Sequence, residues 1–226
     1  MGGQIELFRV GGIPVTMDFT FLLLAFLWTQ RYWSSGNTQL MSAGFIIVVG
    51  LFLSILLHEL GHAWTGKWFG VGTRVIELNG FGGLCHFEKS LPNSVLAPTV
   101  VYLAGPFINL LLWQGCKALA TSSALVGSPL PVIVLGTLAS ANLLLFVFNL
   151  LPAFPLDGGR VLETWLARLL GRHYGPVWSV RIVAGLGLLV VAWLAYMALP
   201  TNFFMLLMAF SLFLINYQAW QSVSGK

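Results

Sequence analysis

Long apolar runs separated by short polar segments dominate this sequence. Six of these runs have the length and composition expected of helices that cross a membrane. They are residues 19–33, 41–64, 95–119, 131–150, 177–199 and 203–220. About 20 apolar residues are needed to cross the hydrocarbon core, and the first run is the short one. The pattern therefore predicts an all-α polytopic membrane protein with about six transmembrane helices.

Two segments depart from this pattern and have the period of β-strands. Residues 5–10 and 13–17 flank Gly11-Gly12, which predicts a hairpin or a pair of strands at the membrane surface. Residues 70–88 contain a second alternating run, a glycine-rich turn and a short return, which predicts a small membrane-associated β-hairpin. Its edge either accepts another extended chain by strand addition or belongs to a tight connector, and the sequence leaves both open.

Composition agrees with a membrane protein of one domain. The chain has 226 residues, of which 58% are hydrophobic and 8% charged, and it contains no soluble run long enough for a second core. We therefore expect a single transmembrane domain over residues 1–226. The net charge of +4 comes from short loops and is no argument for nucleic acid. No cleavable signal peptide is apparent, so the first predicted helix is expected to be an uncleaved anchor.

The distribution of positive charge predicts the orientation. With six helices, one side of the membrane receives nine Lys and Arg residues and the other receives two, Arg31 and Lys117. The nine are Arg9, Lys67, Arg74, Lys89, Arg160, Arg168, Arg172, Arg181 and Lys226. Positive residues are enriched in cytoplasmic loops, so both termini are expected in the cytoplasm. The expected location is a bacterial or archaeal cell membrane.

The most informative stretch is residues 54–63, which read SILLHELGHA. His58 and His62 are four residues apart, so a helix projects both imidazoles from one face, as two ligands of a tetrahedral metal require. Glu59 lies beside the first of them, where a carboxylate can take a proton from a metal-bound water. Ionisable groups inside an apolar helix are costly and usually functional, so this setting favours a metal site over a chance match.

A second polar motif follows the fourth predicted helix. Residues 150–160 read LLPAFPLDGGR, where two prolines end the helix and Gly158-Gly159 permit a tight turn. We therefore expect Asp157 on irregular backbone, which is tolerated at membrane depth only where protein or a water-filled cavity surrounds it. The predicted topology brings His58 and Asp157 out at the same, cytoplasmic side of the membrane.

Together these motifs resemble the site-2 protease family of intramembrane zinc metalloproteases (M50-type). The resemblance rests on His58-Glu59-Leu60-Gly61-His62 and on residues 149–158, NLLPAFPLDG. Gly105-Pro106-Phe107-Ile108-Asn109 and the glycine-rich hairpin look like further family features, and the features cover the whole chain in order. Neither the PDZ domain nor the CBS domains of some family members are expected here.

The resemblance implies a set of roles. His58, His62 and Asp157 would hold one zinc ion, with water in the fourth position, and Glu59 would be the general base. Asn149 is a candidate for stabilising the oxyanion or positioning the substrate, and capping the fourth helix is its alternative. The implied partners are the lipid bilayer and a transmembrane segment of a membrane-protein substrate, hydrolysed within or near that segment.

Other conspicuous residues are expected to be structural. His86 is interpreted as an ordinary interfacial histidine, because a catalytic zinc keeps its fourth position open. Cys85 and Cys116 lack any CxxC pattern and are interpreted as buried thiols. Asn109 either bonds a neighbouring helix or lines the site, and the first interpretation is preferred. Asp18 is expected to cap the first helix.

Two other functions compete with an intramembrane endopeptidase. One is a catalytically inactive relative that binds transmembrane segments, which would have no need of Glu59. The other is a metal transporter, which would need ionisable residues along a path through the membrane. In this sequence those residues cluster towards one face of the predicted membrane domain, which favours the protease.

Overall fold

The computed structural model of this chain describes residues 4–80, 82–125, 127–198 and 203–224. Within them the fold is mostly helical, with one small sheet. The strands are β1 (Gln4–Val10), β2 (Ile13–Asp18), β3 (Thr73–Asn79) and β4 (Gly82–Phe87). The helices are α1 (Phe19–Trp33), α2 (Thr38–Trp68), α3 (Leu96–Ala120), α4 (Pro129–Asn149), α5 (Asp157–Leu169), α6 (Gly171–Ala198) and α7 (Phe203–Ser222). A short 3₁₀ helix occupies Ser123–Leu125.

Four helices among the described residues are long and apolar enough to cross a membrane, namely α2, α3, α4 and α6. Helix α1 has 15 residues, which rise about 22 Å at ~1.5 Å each, less than the ~30 Å of a typical hydrocarbon core. The polytopic helical class is therefore confirmed, and the count of six spans stays a prediction. Phe81 of the predicted hairpin, Leu199 at the end of the fifth predicted helix and Lys226 lie outside the described residues.

The four strands form one sheet in the order β1-β2-β3-β4. Both predicted hairpins are present as antiparallel pairs, β1 with β2 and β3 with β4. The parallel pairing of β2 with β3, in which Val15 lies opposite Ile76, was not predicted. Both side chains are fully buried and join a core that includes Leu56 and Leu60 of α2. This core anchors the sheet against the helix that carries the histidine motif.

Two helix features match their sequence signals. The carboxylate of Asp18 accepts a hydrogen bond from the backbone N–H of Thr20 at 2.7 Å, which confirms it as the cap of α1. Helix α2 begins after Asn37, whose side chain accepts from two backbone N–H groups of its first turn. Helix α3 continues through Pro106.

The fold has two compact units. The first comprises Met1–Leu91 and Ala104–Phe146, and the second comprises Pro92–Leu103 and Val147–Lys226. The sheet and the histidine motif belong to the first unit, whereas Asp157 and Asn149 belong to the second. Helices α3 and α4 each contribute residues to both units.

In the second unit, the backbone at Asp157 differs from the sequence prediction. Asp157 is not on irregular backbone but is the first residue of α5, after Leu156 at the N-cap position. A carboxylate is favoured in the first turn, where backbone N–H groups point outward. Gly158 and Gly159 are needed for space, because a Cβ at either would collide with a backbone carbonyl of the preceding loop. The glycines thus allow the helix to start directly against that loop.

The loop before Asp157 is fastened to α7 by one side chain. The amide of Asn216 accepts from the backbone N–H of Phe154 at 3.0 Å and donates to the carbonyl of Phe154 at 2.8 Å. It also donates to the carbonyl of Leu212 at 2.8 Å, and the residue is fully buried. Both polar groups of an irregular backbone position are thereby satisfied within apolar surroundings.

Candidate metal centre

The histidine motif lies on the continuous, largely apolar helix α2. The exposed fractions of His58, Glu59 and His62 are 5%, 4% and 5%, so three ionisable groups are buried within one turn or so of helix. One potential ligand atom from each lies within 4.8 Å of those of the other two. The two imidazole rings are 4.8 Å apart between centroids, as expected for residues one helical turn apart. The sequence prediction that the helix would bring these three side chains together is confirmed.

Helix α3 passes close to both histidines at Gly105. A Cβ at this position would lie 2.6 Å from Nε2 of His58 and would collide with Nε2 of His62. Both Nε2 atoms therefore face the space that the missing side chain leaves. Two imidazole nitrogens converging on a space of this kind fit a metal ion that keeps further positions open. The absence of a side chain at Gly105 therefore provides the space beside the two imidazole rings.

Strand β4 passes close to the carboxylate of Glu59. A Cβ at Gly83 would lie 2.5 Å from Oε1 of Glu59 and would also collide with its Cγ. The carboxylate therefore lies close both to the histidine pair and to the backbone of the sheet. A carboxylate beside two imidazole nitrogens that could bind a metal ion is an arrangement compatible with base-assisted attack of water.

The side chain of Asn109, on α3, contacts the first histidine directly. Its Oδ1 is 2.5 Å from Nδ1 of His58, and its Nδ2 donates to Oδ1 of Asn142 at 2.8 Å. Sequence reasoning preferred a contact between helices for Asn109, and the structure shows both a helix contact and a site contact. The available signal was its spacing, because Asn109 lies one turn after Gly105 on the same face of α3.

The other residues singled out in the sequence lie in different places. Asn149 is the last residue of α4, so its proposed roles in the reaction or in capping stay predictions, as does ligation by Asp157. On the sheet, Nε2 of His86 is 3.1 Å from Oε2 of Glu77, an ordinary partner for an interfacial histidine. Neither cysteine is in a disulfide.

Both cysteines are half-buried, not fully buried as the sequence suggested, and the thiol of Cys85 has the properties of an unreactive cysteine. Burial raises the pKa of this thiol to about 12, although the hydrogen bond with the Thr73 hydroxyl opposes the shift, and the nearby carboxylate of Glu59 adds a smaller contribution in the same direction as burial. A thiol with this pKa stays protonated at neutral pH and is a poor ligand or nucleophile. The interpretation of Cys85 as structural agrees with this environment.

Comparison with known proteins gives a consistent picture. The sequence profile of Peptidase family M50 matches residues 46–123 and 131–194. Zinc metalloprotease MJ0392 of Methanocaldococcus jannaschii is 35% identical over 191 residues, which cover 83% of this chain and 51% of that protein. Putative zinc metalloprotease sll0528 of Synechocystis sp. is 34% identical over 209 residues, covering 85% of this chain and 53% of that protein. The chain thus spans about half the length of these curated relatives.

A solved structure shows the same fold. The Site-2 Protease from Methanocaldococcus jannaschii matches with a TM-score of 0.67 and 25% identity, covering 96% of this chain and 95% of that one. The profile of the peptidase family matches more than half of the sequence, and the matched ranges contain His58, Glu59, His62 and Asp157. This chain therefore belongs to peptidase family M50.

Proposed function

We propose that this chain is an intramembrane zinc endopeptidase that hydrolyses peptide bonds within or near transmembrane segments. The observation that carries the proposal is the convergence of two imidazole Nε2 atoms beside a buried carboxylate on an apolar helix. Burying this set of groups without a metal would be costly. Membership of a peptidase family and the names of the curated relatives support zinc as the metal.

In this proposal His58, His62 and Asp157 hold the zinc ion. Two imidazoles and one carboxylate are a donor set that suits a catalytic zinc. Bound there, zinc would polarise the scissile carbonyl and lower the pKa of its water towards ~7. The assignment of Asp157 as a ligand is supported by the motif that it shares with the family. The assignments of His58 and His62 are supported by their family motif and by the convergence of their Nε2 atoms.

The remaining roles belong to side chains that handle protons and charge. Glu59 accepts the proton of the attacking water and delivers it to the leaving amine, so both transfers use one carboxylate. Asn149 is proposed to donate a hydrogen bond to the developing oxyanion or to hold the substrate backbone. The substrate segment must unwind locally, because a helix engages the amide groups that are to be attacked.

The edge of the sheet offers a place for an unwound substrate. Strand β3 has neighbours on both sides, so among the described strands the edges are β1 and β4. Because β4 passes Glu59 at Gly83, a chain added to its edge would run beside the general base. This position favours the substrate-binding role over that of a simple connector. Within the hairpin, the proposed edge for strand addition is β4.

A proline at Cys85 is expected to reduce cleavage at least tenfold while zinc content is unchanged. The N–H of Glu88, directly after β4, donates to the carbonyl of Gly72, directly before β3, at 2.9 Å, and amide directions alternate along a strand. The N–H of Cys85 therefore points to the outer edge, where proline removes a donor for an added strand. Cys85→Ala, which keeps that N–H, is the matched control. Equal turnover in the two variants would exclude pairing at this position.

The proposed setting is an integral membrane protein whose termini are both cytoplasmic. Four apolar helices and the family support the membrane location, and the bias in Lys and Arg supports the orientation. The archaeal and bacterial relatives support a bacterial or archaeal cell membrane. The partners are then the lipid bilayer and the transmembrane segment that is cut.

Chelation is expected to abolish cleavage, and added zinc to restore it. The assay uses the purified chain in detergent with a panel of single-span reporter proteins, analysed for new fragments by mass spectrometry. A protease cuts at least one reporter, in a way that 1,10-phenanthroline stops and zinc restores. Cleavage that resists chelation would contradict the zinc mechanism. Reporters that bind but stay intact would favour the catalytically inactive relative.

A further inference from the structure

A continuous line of hydrogen bonds crosses three helices of the first unit and ends on His58. It begins at the backbone carbonyl of Gly50, which accepts from Oγ of Ser54 at 2.8 Å. Oγ of Ser54 in turn accepts a hydrogen bond from Nδ2 of Asn142 at 3.0 Å. Asn142 in turn contacts Asn109, and Asn109 contacts Nδ1 of His58. The line thus joins α2 to α4, then α3, and returns to α2 at the candidate metal ligand.

The backbone carbonyl at the start of this line determines which group donates and which accepts in every hydrogen bond that follows. Carbonyl oxygens can only accept, so Ser54 must donate to Gly50, and the amide NH₂ of Asn142 must face Ser54. A second carbonyl, that of Leu138, accepts from the same NH₂ at 2.9 Å and fixes the amide independently. Oδ1 of Asn142 therefore faces Asn109 and must accept from its NH₂ group.

The consequence reaches the histidine. With its NH₂ group directed to Asn142, Asn109 presents Oδ1 to Nδ1 of His58. An amide oxygen only accepts, so Nδ1 carries the proton and Nε2 of the neutral ring carries the lone pair. This is the nitrogen that faces the space beside Gly105. A backbone carbonyl on α2 thereby selects the tautomer of a residue two turns further along the same helix.

We propose that Asn109 is a positioning residue, and that Asn142 and Ser54 hold its amide so that His58 is fixed as the Nδ1–H tautomer with Nε2 directed at the metal. The inference rests on the proposed metal site. Metal-binding histidines commonly donate a hydrogen bond from the N–H of their second ring nitrogen to an oxygen, which fixes the ring and raises its affinity for metal.

Burial argues for a role beyond helix contact. The exposed fractions of Asn109 and Asn142 are 0% and 1%, and burying an amide is unfavourable unless every polar atom has a partner. Leucine would fill similar volumes between apolar helices without that requirement. The side-chain amides of Asn142 and Asn109 together place a hydrogen-bond acceptor opposite Nδ1 of His58, which explains why two buried amides are present.

The first test measures the tautomer in metal-free protein. Solid-state ¹⁵N NMR of the histidine-labelled chain, with the His58 signal assigned from its loss in His58→Gln, distinguishes a protonated Nδ1 from a protonated Nε2. The expected result is protonation at Nδ1 before any metal is added. Protonation at Nε2 would overturn the proposal. Because no metal or substrate is used, this result stands apart from success or failure of the proposed protease function.

The second test measures zinc affinity by competition with a chelator. Asn109→Leu is expected to weaken zinc binding by about 10–100-fold, and Asn142→Leu in the same direction, because Asn109 is then free to turn its NH₂ group towards His58. Asn109→Asp keeps an oxygen opposite Nδ1 but loses the donor to Asn142, so it is expected to lose less zinc affinity than Asn109→Leu, a partial rescue that a packing role does not explain.

Thr29→Val is the control for loss of a buried polar contact elsewhere in the unit. The hydroxyl of Thr29 is buried in α1 and donates to the carbonyl of Ala25, so its loss affects stability and not the line to His58. An equal loss of zinc affinity in this control, or in Asn109→Asp, would overturn the proposal. If Asn109→Leu does not fold, Asn142→Leu and the tautomer measurement decide.

Discussion

Replacing Glu59 with glutamine is expected to reduce cleavage by about 10²–10⁴-fold while leaving zinc bound, since general-base catalysis contributes on this order. A glutamine side chain would keep the shape of the glutamate but could not accept a proton from water. His58 and His62 would retain their convergence beside Gly105, so the metal would remain. Cleavage of an established reporter and zinc content would be measured on the same preparation.

The outcome separates the competing functions. A binding protein or a transporter has no use for the proton transfer and should be little affected by the change. Loss of both zinc and activity would instead make Glu59 a metal ligand, which would contradict its role as base. Glu163→Gln is the matched control, because this carboxylate lies on α5 and pairs with Arg160 on the same helix. It is expected to keep wild-type turnover.

Replacing Gly105 with alanine is expected to lower zinc affinity by about 10-fold or more, although the substitution adds a single methyl group. The added carbon would occupy the space towards which both Nε2 atoms are directed. Overpacking at such a position typically costs about 1–3 kcal/mol, and each ~1.4 kcal/mol taken from binding is a tenfold loss of affinity. Chelator competition on the purified variant gives the affinity directly.

Gly115→Ala provides the control in the same helix. A Cβ at Gly115 would meet no atom within 4 Å, so alanine there changes helix propensity without touching the site. Its zinc affinity and thermal stability should match or exceed those of the parent chain. Equal zinc affinity in the Gly105 and Gly115 variants would show that the metal does not occupy the space beside Gly105.

Periodicity predicted those parts of the fold that depend on local sequence. The apolar runs gave the four helices that can cross a membrane, and the alternating segments gave both hairpins. The parallel pairing of β2 with β3 joins segments about sixty residues apart, and no local pattern encodes such a register. The start of α5 at Asp157 was missed because two prolines and two glycines normally indicate a loop, whereas here the glycines provide space for packing.

In the candidate site, too, the features set by local sequence were predicted and those set by helix packing were not. The spacing of His58 and His62 predicted their convergence, because one helical turn separates them wherever the helix lies. The contacts of Asn109 and Asn142 depend on how α3 and α4 cross α2, and a single sequence contains no measure of those crossings. Isolated asparagines in apolar helices were visible from the start, but their partners were not.

The central claim is that His58, His62 and Asp157 hold one zinc ion, and the most direct test is metal analysis of the purified chain. Wild type, His58→Ala and Asp157→Ala would be prepared in detergent, checked for folding and analysed by atomic spectroscopy. We expect about one zinc per chain in wild type and little in either variant, as a three-ligand catalytic site requires. Zinc absent from folded wild type, or retained after loss of Asp157, would contradict the ligand assignment.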